Sequence, residues 1–299
     1  MSVVRSDLYL EHFGFSERPF TLLPDPDLMF WSRGHKRAYA VLEYGLSTRA
    51  PLTVVTGEVG TGKTTLLQAL LADMDDDAVV GLISNVQGGR GDLLRWVLNA
   101  FDLSIPPDAD YVSMFQQFVD FVLEAYADNR FVVLVIDEAQ NLQPETLEEL
   151  RMLTNVNSNK DELLQLVLLG QPELRDMIGR PEMRQFAQRV SVSYHLRPMN
   201  RETAGDYVRF RLRCVGGSGD EINGPAIDLV HEISGGVPRV INKVCDLALV
   251  YAASMEIQSV DAEIIEELME DGIIFLSNTA SDPLVLSDNY TVCSPEAAE

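Results

Sequence analysis

The apolar positions of this chain change their period from one stretch to the next. Leu52 to Thr56, Ala78 to Ser84, Phe131 to Ile136 and Leu163 to Leu169 are short, nearly unbroken apolar runs, the pattern of strands buried on both faces of a parallel sheet. Between them, Lys63 to Met74, Gly91 to Phe101, Tyr111 to Ala127 and Pro144 to Leu153 repeat apolar residues at helical spacing. Strand and helix in alternation predict right-handed crossovers and a three-layer α/β core, closed by a fifth strand at Val190 to Leu196.

The flanks read differently. FGFSERPFTLLPDPDLMFW carries prolines that forbid a long helix. A helix is then predicted from about Gly34 to Thr48, with Ala38, Val41, Leu42 and Leu46 at core spacing. After Arg197 the strand pattern stops. Asn200 to Arg213, Gly224 to Ile233, Val237 to Ala253 and Asp261 to Asp271 read as helices separated by Gly-containing breaks. The predicted division is an N-terminal segment packing on the core (1–50), the α/β core (51–197), a small all-helical domain (198–276) and an acidic, aperiodic, frayed tail (277–299).

Composition narrows the function. With 299 residues, 46% hydrophobic and 23% charged, the chain is long enough for one large or two modest domains, and collagen, low complexity and wholesale disorder are excluded. Lys plus Arg number 23 against 46 Asp plus Glu, a formal charge of −23. That balance disfavours bulk capture of DNA or anionic lipid, which needs clustered cations, and leaves a local patch open. Cys214, Cys245 and Cys293 form no CxxC pair, so a reducing compartment is expected rather than a disulfide framework or a zinc knuckle. The start MSVVRSDLYLEHFG has no apolar leader region, and no apolar run approaches the ~18 residues that span a bilayer. A cytoplasmic location follows as the expectation.

Two motifs carry chemistry. Gly57-Glu58-Val59-Gly60-Thr61-Gly62-Lys63-Thr64, followed by Thr65, matches GxxxxGK[ST] directly after a predicted strand and directly before a predicted helix. Glycines let main-chain N–H groups converge on phosphate oxygens, and the helix N-terminus adds its positive dipole end. Lys63 is then placed to neutralise the β and γ phosphates of ATP, and Thr64 to ligate Mg²⁺. Downstream, FVVLVIDEAQ ends a predicted buried strand in Asp137 and Glu138. A parallel strand beside a phosphate loop delivers its carboxyl end to the ligand crevice, so Asp137 reads as the holder of Mg²⁺ and Glu138 as the group that orients or deprotonates the attacking water.

GEVGTGKTT and VLVIDEAQNL, together with QLVLLGQPEL, FAQRVSVSYHLRPM and SGGVPRVINKVCDLAL, resemble the AAA+ ATPases of the general secretion pathway protein A (ExeA/GspA) type. The likeness runs from about Tyr9 to Glu267. It implies a P-loop NTPase core followed by a helical lid, and Mg²⁺-dependent ATP hydrolysis in a homo-oligomer, a hexameric ring being one form. Gln171 stands where the family has its sensor 1 polar group, and Asn85 resembles the residue that holds the water-orienting Glu inactive until a partner binds. Arg189 is placed like the arginine finger that reaches a neighbouring subunit, with Arg184 as its rival. Arg239, next to Pro238, resembles sensor 2.

Such proteins occur with bacterial type II secretion, with pilus and exopolysaccharide clusters and, in related form, among transposition regulators. The resemblance therefore implies a protein partner in an envelope system, with peripheral attachment at the inner membrane through that partner. No transmembrane helix and no cell-wall-binding region is expected within these 299 residues, a departure from the secretion members. A regulator of DNA transposition and a nucleotide-gated scaffold with little turnover stay open as alternatives.

Other residues are more ambiguous. Phe20, Pro24, Asp25 and the basic trio Arg33, Lys36 and Arg37 either wall the adenine pocket or belong to a segment whose aromatics pack against the sheet. Arg209, Arg211 and Arg213 are expected on a solvated lid face rather than against nucleic acid. His12, His35, His195 and His231 show no metal spacing and are expected to be structural.

Overall fold

The computed structural model describes residues 9–22, 28–74, 77–84, 92–158 and 161–274. The chain enters through α1 (Leu10–Phe13) and α2 (Arg33–Ser47), then runs β1 (Leu52–Gly57), α3 (Lys63–Ala72), β2 (Ala78–Ile83), α4 (Leu93–Ala100), α5 (Tyr111–Ala127) and β3 (Phe131–Ile136). It continues with α6 (Pro144–Leu153), the two-residue strands β4 (Asn157–Ser158) and β5 (Asp161–Glu162), β6 (Leu164–Gly170), α7 (Pro172–Ile178), α8 (Arg184–Arg189) and β7 (Val192–Leu196). Four helices follow: α9 (Arg201–Cys214), α10 (Gly224–Ser234), α11 (Pro238–Ser254) and α12 (Ala262–Glu270).

Five strands make one parallel sheet in the order β2-β3-β6-β1-β7. The interior strands β1 and β6 are buried at every position, which is why they read as continuous apolar runs. The run at 78–84 differs from that expectation: β2 is an edge strand, and Leu82 is exposed. Leu166 and Leu168 of β6 join the cluster beneath α4, α5 and α6, while Val167 and Leu169 join the cluster beneath α2 and α3, as the two-residue period of a strand requires.

A third cluster fills the helical part. Val208, Leu212, Ile241, Leu249 and Ile265 are its centre, and Tyr9, Phe15 and Phe20 pack into it. The N-terminal stretch expected on the α/β core is thus divided: residues 9–20 lie with the helices, and α2 lies on the sheet. Each longer helix of this part except α11 opens on a side-chain cap, from Asn200, Asn223 and Asp261, each worth about 1 kcal/mol. One parallel bridge, Ile222 to Val260, interrupts the all-helical pattern.

Sequence periodicity did not reveal α7, α8 or the β4–β5 hairpin. These pieces are seven residues or shorter, below the window in which a 3.6-residue period can be recognised. Val190 and Ser191, assigned to the fifth strand by pattern, lie between α8 and β7 instead.

Candidate active site

The loop after β1 is shaped by two glycines. Gly60 and Gly62 have φ of 80° and 96°, the left-handed region that costs an L side chain most. Space forbids side chains there as well: a Cβ on Gly60 would collide with the Arg239 side chain, and one on Gly62 would lie 2.9 Å from His35 Nε2. Gly62 caps α3, so the loop delivers its main-chain N–H groups to the N-terminus of that helix.

Lys63 is buried, and its ammonium donates to the carbonyls of Gly57 at 2.8 Å and Glu58 at 3.0 Å. Burial pushes its pKa below the ordinary value, opposed by the carboxylates of Glu138, Asp137, Glu58 and Glu173. The Thr61 hydroxyl donates to Glu58 O at 2.8 Å and closes the loop on itself.

Because β6 stands between β1 and β3, the ends of all three strands converge. The Thr64 hydroxyl donates to Asp137 Oδ2 at 2.8 Å, linking loop and acidic pair. Glu138 departs from strand geometry with φ 56° and ψ 35°, a conformation costing roughly 1–3 kcal/mol for a residue with a Cβ. That twist separates the two carboxylates. Asp137 accepts from Thr64, whereas Glu138 Oε2 accepts from Gln140 Nε2 at 2.5 Å and from Gln171 Nε2 at 3.3 Å. Gln140 is itself held, its Oε1 accepting the Gln171 main-chain N–H at 2.9 Å.

The cleft above the loop lies between sheet and helical part. Its walls include Leu28, Met29, His35, Tyr207, Arg239 and Asn242, and Thr64, Thr65 and Glu138 line its floor. Arg239 enters through the N-terminus of α11, where its main-chain N–H donates to Gly60 O at 3.2 Å. His35 is buried with Nδ1 2.7 Å from Ser32 Oγ and Nε2 3.0 Å from Thr61 O, and burial pushes its pKa below 6.5. His195 sits 3.0 Å from Thr56 Oγ1, and burial followed by Arg175 depresses it too.

These residues fit a nucleoside triphosphate with Mg²⁺. The glycine loop offers main-chain donors, Lys63 offers a buried cation, and Thr64 with Asp137 offers a pair of hard oxygen ligands. Among the described residues no group of three or more His, Cys, Asp or Glu could hold a metal alone. Mg²⁺ binds through few protein oxygens together with substrate phosphates and water, so Thr64 and Asp137 are a sufficient protein contribution for it.

Several expectations are corrected here. Arg211 does not belong to a solvated face: it is 6% exposed, and its guanidinium donates to Pro19 O at 2.6 Å, Leu28 O at 3.4 Å and Thr21 Oγ1 at 3.4 Å. Phe20 neither walls the cleft nor packs on the sheet, being fully buried among the lid helices. Arg33, Lys36 and Arg37 are exposed on α2 and do not line the cleft, which takes His35 from that helix. Arg189 is half-buried, pairs with Glu162 at 3.4 Å and donates to Asn155 Oδ1, whereas Arg184 is exposed and forms no ion pair among the described residues. Asn85, Pro24 and Asp25 lie outside the described residues. Sequence reasoning gave no role to Gln140, although the DEAQ run carried it in plain view.

Comparison with known proteins agrees with this fold. Residues 47–178 match the AAA domain family. Over 245 residues the chain is 40% identical to general secretion pathway protein A of Aeromonas hydrophila, covering 82% of this chain and 45% of that protein. The chain thus spans less than half the length of that relative. Among solved structures, Drosophila ORC bound to DNA superposes with a TM-score of 0.67 at 16% identity, over 91% of this chain and 67% of that one. The Aeropyrum pernix ORC2 protein in its ADPNP-ADP complexes gives 0.62 at 17% identity, over 86% and 72%. At such identities the likeness concerns the fold alone. In the described residues no helix is long and apolar enough to cross a membrane. With its parallel five-strand sheet, its phosphate loop and the aligned relative, the chain is an AAA+ P-loop protein related to general secretion pathway protein A.

Proposed function

We propose that this protein binds ATP with Mg²⁺ in the cleft between sheet and lid and hydrolyses it to ADP and phosphate as an oligomer. The observation that carries the reading is the 2.8 Å hydrogen bond from Thr64 to Asp137, which joins the phosphate loop to the acidic pair. Thr64 and Asp137 would hold Mg²⁺, whose charge neutralises phosphate oxygens when bound. Lys63 binds the β and γ phosphates, and Gly57 to Thr65 cradle them. Glu138 orients the water, positioned by Gln140 and Gln171. Arg239, resting on the loop at Gly60, reports the nucleotide to α11 and moves the lid.

An arginine from a neighbouring copy completes the site. Arg184 is exposed and unpaired among the described residues, while Arg189 is engaged with Glu162 and Asn155, so the geometry favours Arg184. A trans arginine makes turnover per chain rise with protein concentration. Removing the acting arginine abolishes that rise and leaves ATP affinity intact. Turnover per chain that stayed flat across the assembly range would refute a trans arginine.

In the cell, the relation to general secretion pathway protein A supports an ATPase that drives or regulates assembly of an envelope secretion, pilus or exopolysaccharide system, working in the cytoplasm or at the inner membrane through a protein partner. Glu138→Gln, loaded with ATP, is the trap for that partner. Recovery of envelope-assembly proteins supports this role, and recovery of transposition proteins in their place overturns it.

A further inference from the structure

His35 is buried near the start of α2, on the wall of the nucleotide cleft, and has no part in the chemistry described above. Its neighbours fix where the ring carries its proton. Nε2 lies 3.0 Å from the Thr61 carbonyl oxygen, which can only accept, so the proton sits on Nε2. Nδ1 lies 2.7 Å from Ser32 Oγ, and that oxygen already accepts the His35 main-chain N–H at 3.2 Å. The Ser32 hydroxyl is therefore free to donate to Nδ1 and complete a neutral ring. Burial, which pushes the ring below its ordinary pKa, favours the same neutral form. With one oxygen, Ser32 both caps α2 and orients the imidazole.

The carbonyl at the far end of this chain of bonds belongs to the phosphate loop. Thr61 is 1% exposed, and among the described residues no other donor reaches its carbonyl oxygen. Its N–H and hydroxyl both turn to Glu58 O, at 3.3 and 2.8 Å. The peptide that carries the Thr61 carbonyl also carries the Gly62 N–H. It is trans and planar, so a carbonyl drawn toward α2 sends that N–H the opposite way. Gly62 lines the cleft, its φ of 96° suits glycine alone, and its N–H donates to no acceptor among the described residues. The ring also packs on Gly62 itself, where a Cβ would stand 2.9 Å from Nε2. An open main-chain donor beside the buried Lys63, at the cap of α3, faces the place of a phosphate oxygen.

We propose that His35 is a positioning residue of the nucleotide site: held by Ser32, it anchors the Thr61 carbonyl and so aims the Gly62 N–H at a phosphate oxygen of the bound nucleotide. The inference rests on the reading of this cleft as an ATP site and adds the side chain that keeps the loop in its binding conformation. Without the ring, the carbonyl is left buried with no donor, and the 61–62 peptide turns to find one, taking the Gly62 N–H off target. The bond from Gly62 is made in ground state and transition state alike. Its loss therefore raises KM and leaves kcat nearly unchanged.

Three substitutions separate volume from hydrogen bonding. His35→Phe fills the space and cannot donate. His35→Asn reaches Ser32 but stops short of Thr61, whereas His35→Gln carries its amide N–H close to the position of Nε2 and still donates to Thr61 O. The full chain is titrated calorimetrically with a non-hydrolysable ATP analogue and Mg²⁺. His35→Phe and His35→Asn are each expected to bind about tenfold more weakly than wild type, since a charge-assisted hydrogen bond is misaimed, and His35→Gln within about threefold of wild type. In steady-state hydrolysis, KM of the two weakened variants is expected to rise about tenfold with kcat within about twofold. Nitrogen-15 NMR of the ring above about pH 7.5, assigned by the signal missing from His35→Gln, is expected to show a neutral imidazole with its proton on Nε2. Wild-type affinity in both His35→Phe and His35→Asn, equal weakening in all three variants, a fall in kcat as large as the rise in KM, or a ring proton on Nδ1 overturns the proposal. If Lys63→Ala weakens binding while the His35 variants do not, the ATP site stands and the anchor fails. If the wild type binds no nucleotide, both fail.

Discussion

The α/β part and the helical part bury polar groups in different ways. In the first, the buried polar groups of the cleft gather at one end of the sheet, where Thr61, Lys63 and Asp137 are buried side by side at the carboxyl ends of parallel strands. In the second, they run through the packing itself. Asp246 accepts from Tyr9 and Arg18, Asn242 bridges Tyr207 and Thr21, and Arg211 holds the carbonyls of Pro19 and Leu28. The sheet concentrates polarity for chemistry, whereas the lid uses it to fasten the N-terminal segment that supplies one wall of the cleft. Substitutions in the two regions should therefore separate turnover from stability.

The largest separation is expected from Glu138→Gln. Turnover should fall about 100- to 1,000-fold, since a preorganised group acting in the transition state is lost, with ATP affinity and thermal stability unchanged. Normal turnover in this variant would remove Glu138 from the role. Arg211→Ala should do the reverse. Losing three hydrogen bonds from a buried cation should cost about 2–4 kcal/mol in urea unfolding, and affinity should fall with it because Thr21 and Leu28 line the cleft. A wild-type urea midpoint would break the contrast between the regions.

His35 offers a pH test at the boundary. Burial lowers its pKa below 6.5, with the Thr61 carbonyl opposing. The unfolded chain then binds the proton at a higher pH than the folded chain does. The stability this group contributes is complete above about pH 6.5 and is lost as pH falls toward the folded value, by at most about 1.4 kcal/mol per unit. His35→Gln should flatten part of that slope in melts between pH 5 and 7, leaving the share of His195, which shifts the same way. An unchanged slope would acquit the ring. Smallest of all, Gln140→Ala should lower turnover about fivefold at constant affinity, because Glu138 keeps only the longer 3.3 Å donor from Gln171. Equal loss of affinity would mean that Gln140 shapes the cleft rather than the carboxylate.

The same contrast explains what was legible in the sequence. Strand runs and the phosphate loop could be read because burial on both faces and left-handed glycines each leave a local signature, as at Val132–Ile136 and at Gly60 and Gly62. Arg211 was misjudged because a helical period shows which face a residue occupies. It does not show that carbonyls from residues 19 and 28 cover that face. Gln140 was missed for a related reason: its partner, the N–H of Gln171, comes from a different strand end. Local pattern fixes elements and motifs, while partners distant in sequence emerge only from the register of the sheet and the docking of the lid.

The central claim is that residues 57–64 and the Asp137–Glu138 pair form one nucleotide site. Calorimetric titration of a non-hydrolysable ATP analogue with Mg²⁺ into the wild type and Lys63→Ala tests it most directly. Saturation at one nucleotide per chain in the wild type, weakened at least about tenfold in Lys63→Ala, is the expected result. No binding heat in the wild type, or equal affinity in the two proteins, would contradict it.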